Sequence, residues 1–138
     1  MSLNSALLQE RFDDILQSIE RLEPLRQMSR EAFLADQDAR DLASYRLLVA
    51  IEAALQICFH VSAQRLRRAP ESYADCFFVL GEAGLIPLPL SEKLRRMARF
   101  RNLLIHTYWD IDYGQVYDLL QGPTDDLRQF VKAIALLL

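Results

Sequence analysis

Apolar residues recur at helical spacing through most of the chain. From Asn4 to about Leu22 they fall at Leu8, Phe12, Ile15, Leu16 and Ile19 with charges between, which predicts an amphipathic helix that Pro24 ends or bends. A short segment, Arg30 to Ala35, fits a turn of helix. Asp38 or Asp41 then starts a long helix to about Arg67, apolar almost all round from Leu47 to Val61 and therefore the most buried. Glu71 to Ala83 reads as the next helix, Gly84 as its left-handed cap, and Leu85–Pro89 as a stiff connector. Ser91 is the expected cap of a helix to Tyr108, with Glu92 at the positive end of its dipole. After a polar-aromatic loop at Trp109–Asp112, Tyr113 to Leu120 forms a short helix. Gly122-Pro123 breaks it, and Thr124 or Asp125 caps a last helix whose IALLL end needs burial in the bundle or between subunits.

Composition narrows the fold. Half of the 138 residues are hydrophobic, too many for disorder, and four glycines and five prolines leave little punctuation for many short strands. The expectation is an all-α, up-and-down bundle of four to five helices in one domain spanning residues 1–138. No apolar run reaches the length needed to cross a membrane, and the MSLNSALLQERFDD start has no basic segment leading into an apolar one, so a cytoplasmic protein without membrane attachment is expected. Cys58 and Cys76 read as buried thiols rather than a disulfide.

The net charge of −3 argues against general coating of nucleic acid but leaves room for a local basic surface. Such a surface is SEKLRRMARFRNLLIHTY, residues 91–108. Leu94, Met97, Ala98, Leu104 and Ile105 supply its apolar stripe, and Lys93, Arg95, Arg96, Arg99 and Arg101 its charge. Within it, Arg101 precedes His106 by five residues. That spacing alone is weak evidence, since chance supplies roughly 0.2 such pairs in a chain of this composition. Five residues along a helix turn about 140° and rise ~7.5 Å, so the two side chains do not stack, though a long arginine can reach a shared groove. Asn102, one helical turn before His106, can orient its imidazole. The bland alternative is a solvated Arg101 and a His106 satisfied by the helix dipole.

Two further features stay open on residue evidence. Glu52, Gln56, His60 and Gln64, four apart on the long apolar helix, form either a solvent-facing seam or the border of a polar cleft or symmetric partner. His60 is a weak candidate for a catalytic group. Asp110 and Asp112 lie close together, but no third ligand stands at a familiar spacing, so no metal site is expected.

The stretch SYADCFFVLGEAGLIPLPLSEKLRRMARFRNLLIHTYWDIDYGQVYDLL resembles the HEPN superfamily, and within it the HepT-like toxins. The features that carry the likeness are the tyrosine-bearing start, the F-x-x-L-x-x-x-G-x-I-P turn and the R-N-x-x-x-H-x-Y signature at Arg101, Asn102, His106 and Tyr108. The YRLLVAIEAALQICFHV helix is similar more loosely. Thr107 departs from the pattern, where related sequences often carry an acidic residue. The resemblance implies a symmetric homodimer whose motifs form a composite cleft and cleave RNA without metal or cofactor. In that scheme Arg101 and His106 are catalytic, Asn102 positions, and Arg95, Arg96 and Arg99 track the RNA backbone. It also implies a MntA-like nucleotidyltransferase antitoxin that adds AMP to Tyr108. The alternative is a non-catalytic binding module that partners such a nucleotidyltransferase.

Overall fold

A computed structural model describes residues 3–106 and 110–138, the side chain of His106 excepted. Asn4 opens α1 (Ser5–Arg26) by accepting from the Leu7 amide, and the helix runs two residues beyond Pro24. Pro24 lies so near the C-terminus that it interrupts only the last turn. The short α2 (Arg30–Ala35) is capped by Ser29. The long central helix α3 (Gln37–Val61) is capped by Asp36, whose carboxylate accepts from the Ala39 amide at 3.1 Å. Asp38 therefore sits inside the first turn, and Asp41 beyond it.

At its far end α3 widens into a π-helical turn over Ser62–Leu66, closed by Arg67 in the left-handed conformation at φ 53°. Ser62 ties this turn twice, accepting from the Arg68 amide through its carbonyl and donating its hydroxyl to the Arg68 carbonyl. The chain folds back as α4 (Tyr73–Glu82), capped by Ser72, and Gly84 takes the expected positive φ of 77°. Next come α5 (Leu88–His106), α6 (Tyr113–Gln121) and α7 (Pro123–Ala135).

Ser91 does not cap α5. The helix starts three residues earlier, and the buried Ser91 hydroxyl instead donates to the Phe77 carbonyl of α4 at 2.8 Å. Opposite it stands Gly81, where a Cβ would lie 2.6 Å from the Ser91 side chain. The close approach of α4 and α5 thus rests on a glycine facing a serine. Neither Thr124 nor Asp125 caps α7, which begins at Pro123, a residue whose fixed φ suits a first helical position.

Among the described residues there are seven α-helices and no strand, and five of the helices are ten residues or longer. α1 packs along α3 and α4 along α5, while α6 and α7 close the bundle. One buried cluster draws on every helix, from Leu8 and Ile15 through Phe33, Ile51, Leu80 and Leu94 to Leu120 and Phe130. With its π turn, α3 is long and apolar enough by length and composition to cross a membrane, contrary to the sequence reading. Here the bundle takes up that apolar surface: eleven α3 side chains are buried. Cys58 and Cys76, expected as separate thiols, are joined as a disulfide between α3 and α4, with Cα atoms 6.1 Å apart. The fold-back after Arg67 brings the two faces together. Ile134 of the C-terminal apolar run is buried, while Leu136 and Leu138 are exposed.

Candidate functional site

The polar stripe on α3 is a seam between helices. Gln56 accepts from Arg11 of α1 at 3.0 Å, and His60 Nε2 accepts from the Asn4 amide at 3.0 Å. His60 thereby helps hold the start of α1, which leaves its imidazole a structural duty. Glu52, the next residue of the stripe, receives the Arg101 guanidinium of α5 in a short ion pair through Nε.

Arg101 is fixed on three sides. Besides Glu52, its guanidinium carbon lies 4.2 Å from the centroid of the Tyr73 ring, and Nη1 makes a long 3.4 Å contact to the Asn102 side-chain oxygen. The Tyr73 ring stands edge-on to Phe59 of α3, with centroids 5.9 Å apart at 82°. Only 14% of the Arg101 side chain is exposed. A guanidinium so placed is desolvated on its inner side, where a charge-assisted contact gains strength. Residues of α3, α4 and α5 thus converge on one cation.

The α5 backbone carries the chain from Arg101 to His106, the last described residue of the helix. The side chain of His106, together with Thr107, Tyr108 and Trp109, lies outside the described residues. Of the expected site, the structure brings together Arg101 and Asn102. The partners of Arg101 escaped the sequence reading. In the sequence Glu52 is one of four polar residues on an apolar helix and Tyr73 part of a motif, and neither spacing points to Arg101.

The other basic residues of α5 divide by face. Arg95 is held by Glu92 at 2.8 Å and lies 5.0 Å from the centre of the Phe78 ring. Arg96 and Arg99 are exposed, and Arg99 stands between two cavities. The smaller, about 460 Å³, is lined by Phe59, Tyr73, Arg99 and Asn102 beside the start of α4. The larger, about 790 Å³, lies between α5, α6 and α7. On its wall the Asp126 carboxyl is pushed above its ordinary value by burial, against the opposing pull of Lys93 at 3.8 Å. Asp112 spends its carboxylate on the Gly114 and Gln115 amides at the start of α6. Among the described residues, no three His, Cys, Asp or Glu side chains are grouped to hold a metal ion.

These features coincide with a known family. The family model for ribonuclease HepT-like proteins matches residues 15–134. The mRNA nuclease HepT of Shewanella oneidensis strain MR-1 is 30% identical over 102 residues, spanning 74% of this chain and 77% of its own. Among solved structures, a tri-AMPylated Shewanella oneidensis HEPN toxin in complex with MNT antitoxin superposes with a TM-score of 0.85. It is 26% identical, over 94% of this chain and 97% of that one. A toxin–antitoxin structure with AMP-PNP gives 0.81 at 25% identity, covering 93% and 97%. With the family model spanning most of the chain and a relative 30% identical over three quarters of it, the chain belongs to the ribonuclease HepT-like family.

Proposed function

We propose that this protein is the ribonuclease toxin of a toxin–antitoxin pair, acting in the cytoplasm as a symmetric homodimer, the whole chain serving as one functional unit. The observation that carries the reading is Arg101, buried on its inner side among α3, α4 and α5 and in contact with Tyr73 and Asn102, both of which line an open cavity. A guanidinium holds its charge at any physiological pH and can take two phosphoryl oxygens as negative charge builds on them. Imidazole titrates near neutrality and suits proton transfer, worth roughly 10²–10⁴-fold. In this mechanism His106 takes the proton of an RNA 2′-hydroxyl, whose oxygen attacks the adjacent phosphorus. The bond to the 5′-oxygen breaks, and that oxygen receives a proton from His106 of the partner subunit. Arg101 steadies the phosphoryl oxygens, Asn102 positions, and Arg96 and Arg99 meet the flanking backbone, with Arg95 as a shorter-reaching contributor. No step calls on a metal or a cofactor.

The antitoxin in this reading is a MntA-like nucleotidyltransferase that adds AMP to Tyr108. The adduct would set a bulky anion two residues from His106, repelling RNA phosphate and blocking access. Support comes from the tri-AMPylated relative in complex with its antitoxin. The test is cleavage of RNA by the purified protein, with Arg101→Ala and His106→Ala as variants. Both should keep the wild-type circular dichroism spectrum and lose at least 100-fold in rate. Undiminished cleavage by both variants refutes the assignment. A second reading, a non-catalytic module for the nucleotidyltransferase, draws on the closed state of Arg101, which Glu52 already occupies. It predicts no cleavage by the wild type, and AMP transfer from ATP that is lost in Tyr108→Phe.

A further inference from the structure

We propose that the cavity of about 460 Å³ beside Arg101 is a nucleotide subsite, which holds an unpaired RNA base stacked on Tyr73 next to the phosphate that Arg101 contacts. The inference rests on the ribonuclease reading and names part of the substrate: a single-stranded segment with at least one base turned out of its stack.

Four observations support it. The volume lies within the range of small-molecule sites, roughly 300–1,000 Å³, and suits one nucleoside. Tyr73 lines the cavity, is 37% exposed, and is braced at the same time by Phe59 and Arg101. A ring held from two sides loses little freedom on stacking, so most of the stacking gain appears as affinity.

The polar groups around the ring match a nucleotide in kind and order. Arg101 touches both Tyr73 and Asn102, so the guanidinium stands directly behind the two side chains that a base would meet. The Asn102 amide offers both a donor and an acceptor to a base edge. Exposed Arg99 lies on the same wall and can meet the next phosphate. Glu71 also lines the cavity, and a carboxylate there can accept from the exocyclic amine of a base and repels a phosphate. Base inward and phosphates along α5 is the orientation these charges permit. Ala74 and Ala98 leave the floor free of bulk.

Recognition of an unpaired base by an aromatic ring is the usual means by which proteins read RNA, since an A-form duplex hides its base edges in a deep, narrow groove. Duplex RNA should therefore be a poor ligand here, and preference among bases should follow the amide and carboxylate beside Tyr73.

The test measures binding of a fluorescent single-stranded RNA hexamer to the full-length His106→Ala protein, where no turnover intervenes. Removing the ring in Tyr73→Leu should raise Kd roughly 5- to 150-fold, the span of one lost base stack. Tyr73→Phe, which keeps the ring, should stay within about threefold. Ala74→Met, which projects bulk into the cavity beside the ring and leaves the ring in place, should weaken binding as Tyr73→Leu does. It provides the answer if Tyr73→Leu fails to fold. In the active protein the same substitutions should flatten the base preference at sequenced cut sites, an effect that a purely structural defect would not produce. Equal hexamer affinity in wild-type and Ala74→Met backgrounds overturns the subsite. Hexamer binding that depends on Tyr73, in a protein that cuts no RNA, retains the subsite and refutes the ribonuclease reading. No hexamer binding by a protein that still cleaves RNA overturns the subsite and leaves the ribonuclease reading standing, whereas neither binding nor cleavage refutes both.

Discussion

Replacing Gly81 by alanine tests the contact that sets α4 against α5. The added methyl would stand 2.6 Å from the Ser91 side chain, where two carbon atoms in contact prefer about 3.5–4.0 Å. Either the helices part by about 1 Å or Ser91 leaves its rotamer and its hydrogen bond to the Phe77 carbonyl. Overpacking of this kind costs about 1–3 kcal/mol. The buried hydrogen bond, if lost, adds about 1 kcal/mol. Against this, alanine improves helix propensity by about 1 kcal/mol. With the hydrogen bond lost, the net is a loss of about 1–3 kcal/mol, a fall in Tm on the order of 3–10 °C for a chain of this size. Thermal unfolding followed by circular dichroism at 222 nm reads it directly. Because the clash belongs to a pair, Gly81→Ala combined with Ser91→Gly should lose less than the sum of the two single losses. A Gly81→Ala protein as stable as the wild type, or more so, refutes the account of this interface.

Glu52→Ala should lower stability by about 1–2 kcal/mol, between the values for exposed and fully buried pairs, because it leaves the desolvated Arg101 without its carboxylate. An unchanged urea midpoint would show the pair to be without net effect. Asp36→Ala should cost about 1 kcal/mol through loss of the α3 cap, whereas Asp38→Ala and Asp41→Ala should change stability by less than about 0.5 kcal/mol. Equal losses in all three would remove Asp36 from that role. Burial raises the folded-state pKa of Asp126, so the folded protein holds this proton more tightly than the unfolded chain. The favourable contribution is therefore complete below the ordinary carboxylate value and lost as pH rises through the raised one. Asp126→Asn should raise Tm at pH 7, and the gain should shrink toward about pH 3. Tm curves that run parallel from pH 3 to 7 would contradict the burial argument.

What could be read from the chain was local or periodic. The Arg30–Ala35 helix and the left-handed Gly84 follow from residue type alone, and the apolar run from Leu47 to Val61 marks the central helix without any partner. Where several residues were equally good, local chemistry did not choose. Asp36, Asp38 and Asp41 are all competent caps, and the first of them caps. Ser91 carries a cap-like signature, yet a carbonyl fourteen residues away takes its hydroxyl. The pairing of Cys58 with Cys76 depends on a fold-back set by a π turn and a left-handed arginine, which no spacing rule supplies. At the site, Arg101 and Asn102 were legible as a motif. Glu52, 49 positions away, and Tyr73 reach Arg101 only through helix packing.

The carboxylate at Arg101 has a consequence for which anions can settle there. An incoming anion displaces one already seated, so its gain is the difference between two similar attractions and not the whole of one. Stray inorganic phosphate or a free mononucleotide, offering a single point of attachment, has little to compete with. A polymer that touches several neighbouring groups at once brings enough additional attachment to tip the exchange. If Arg101 binds phosphate as proposed, the resident glutamate would act as a threshold that favours long ligands over small ones.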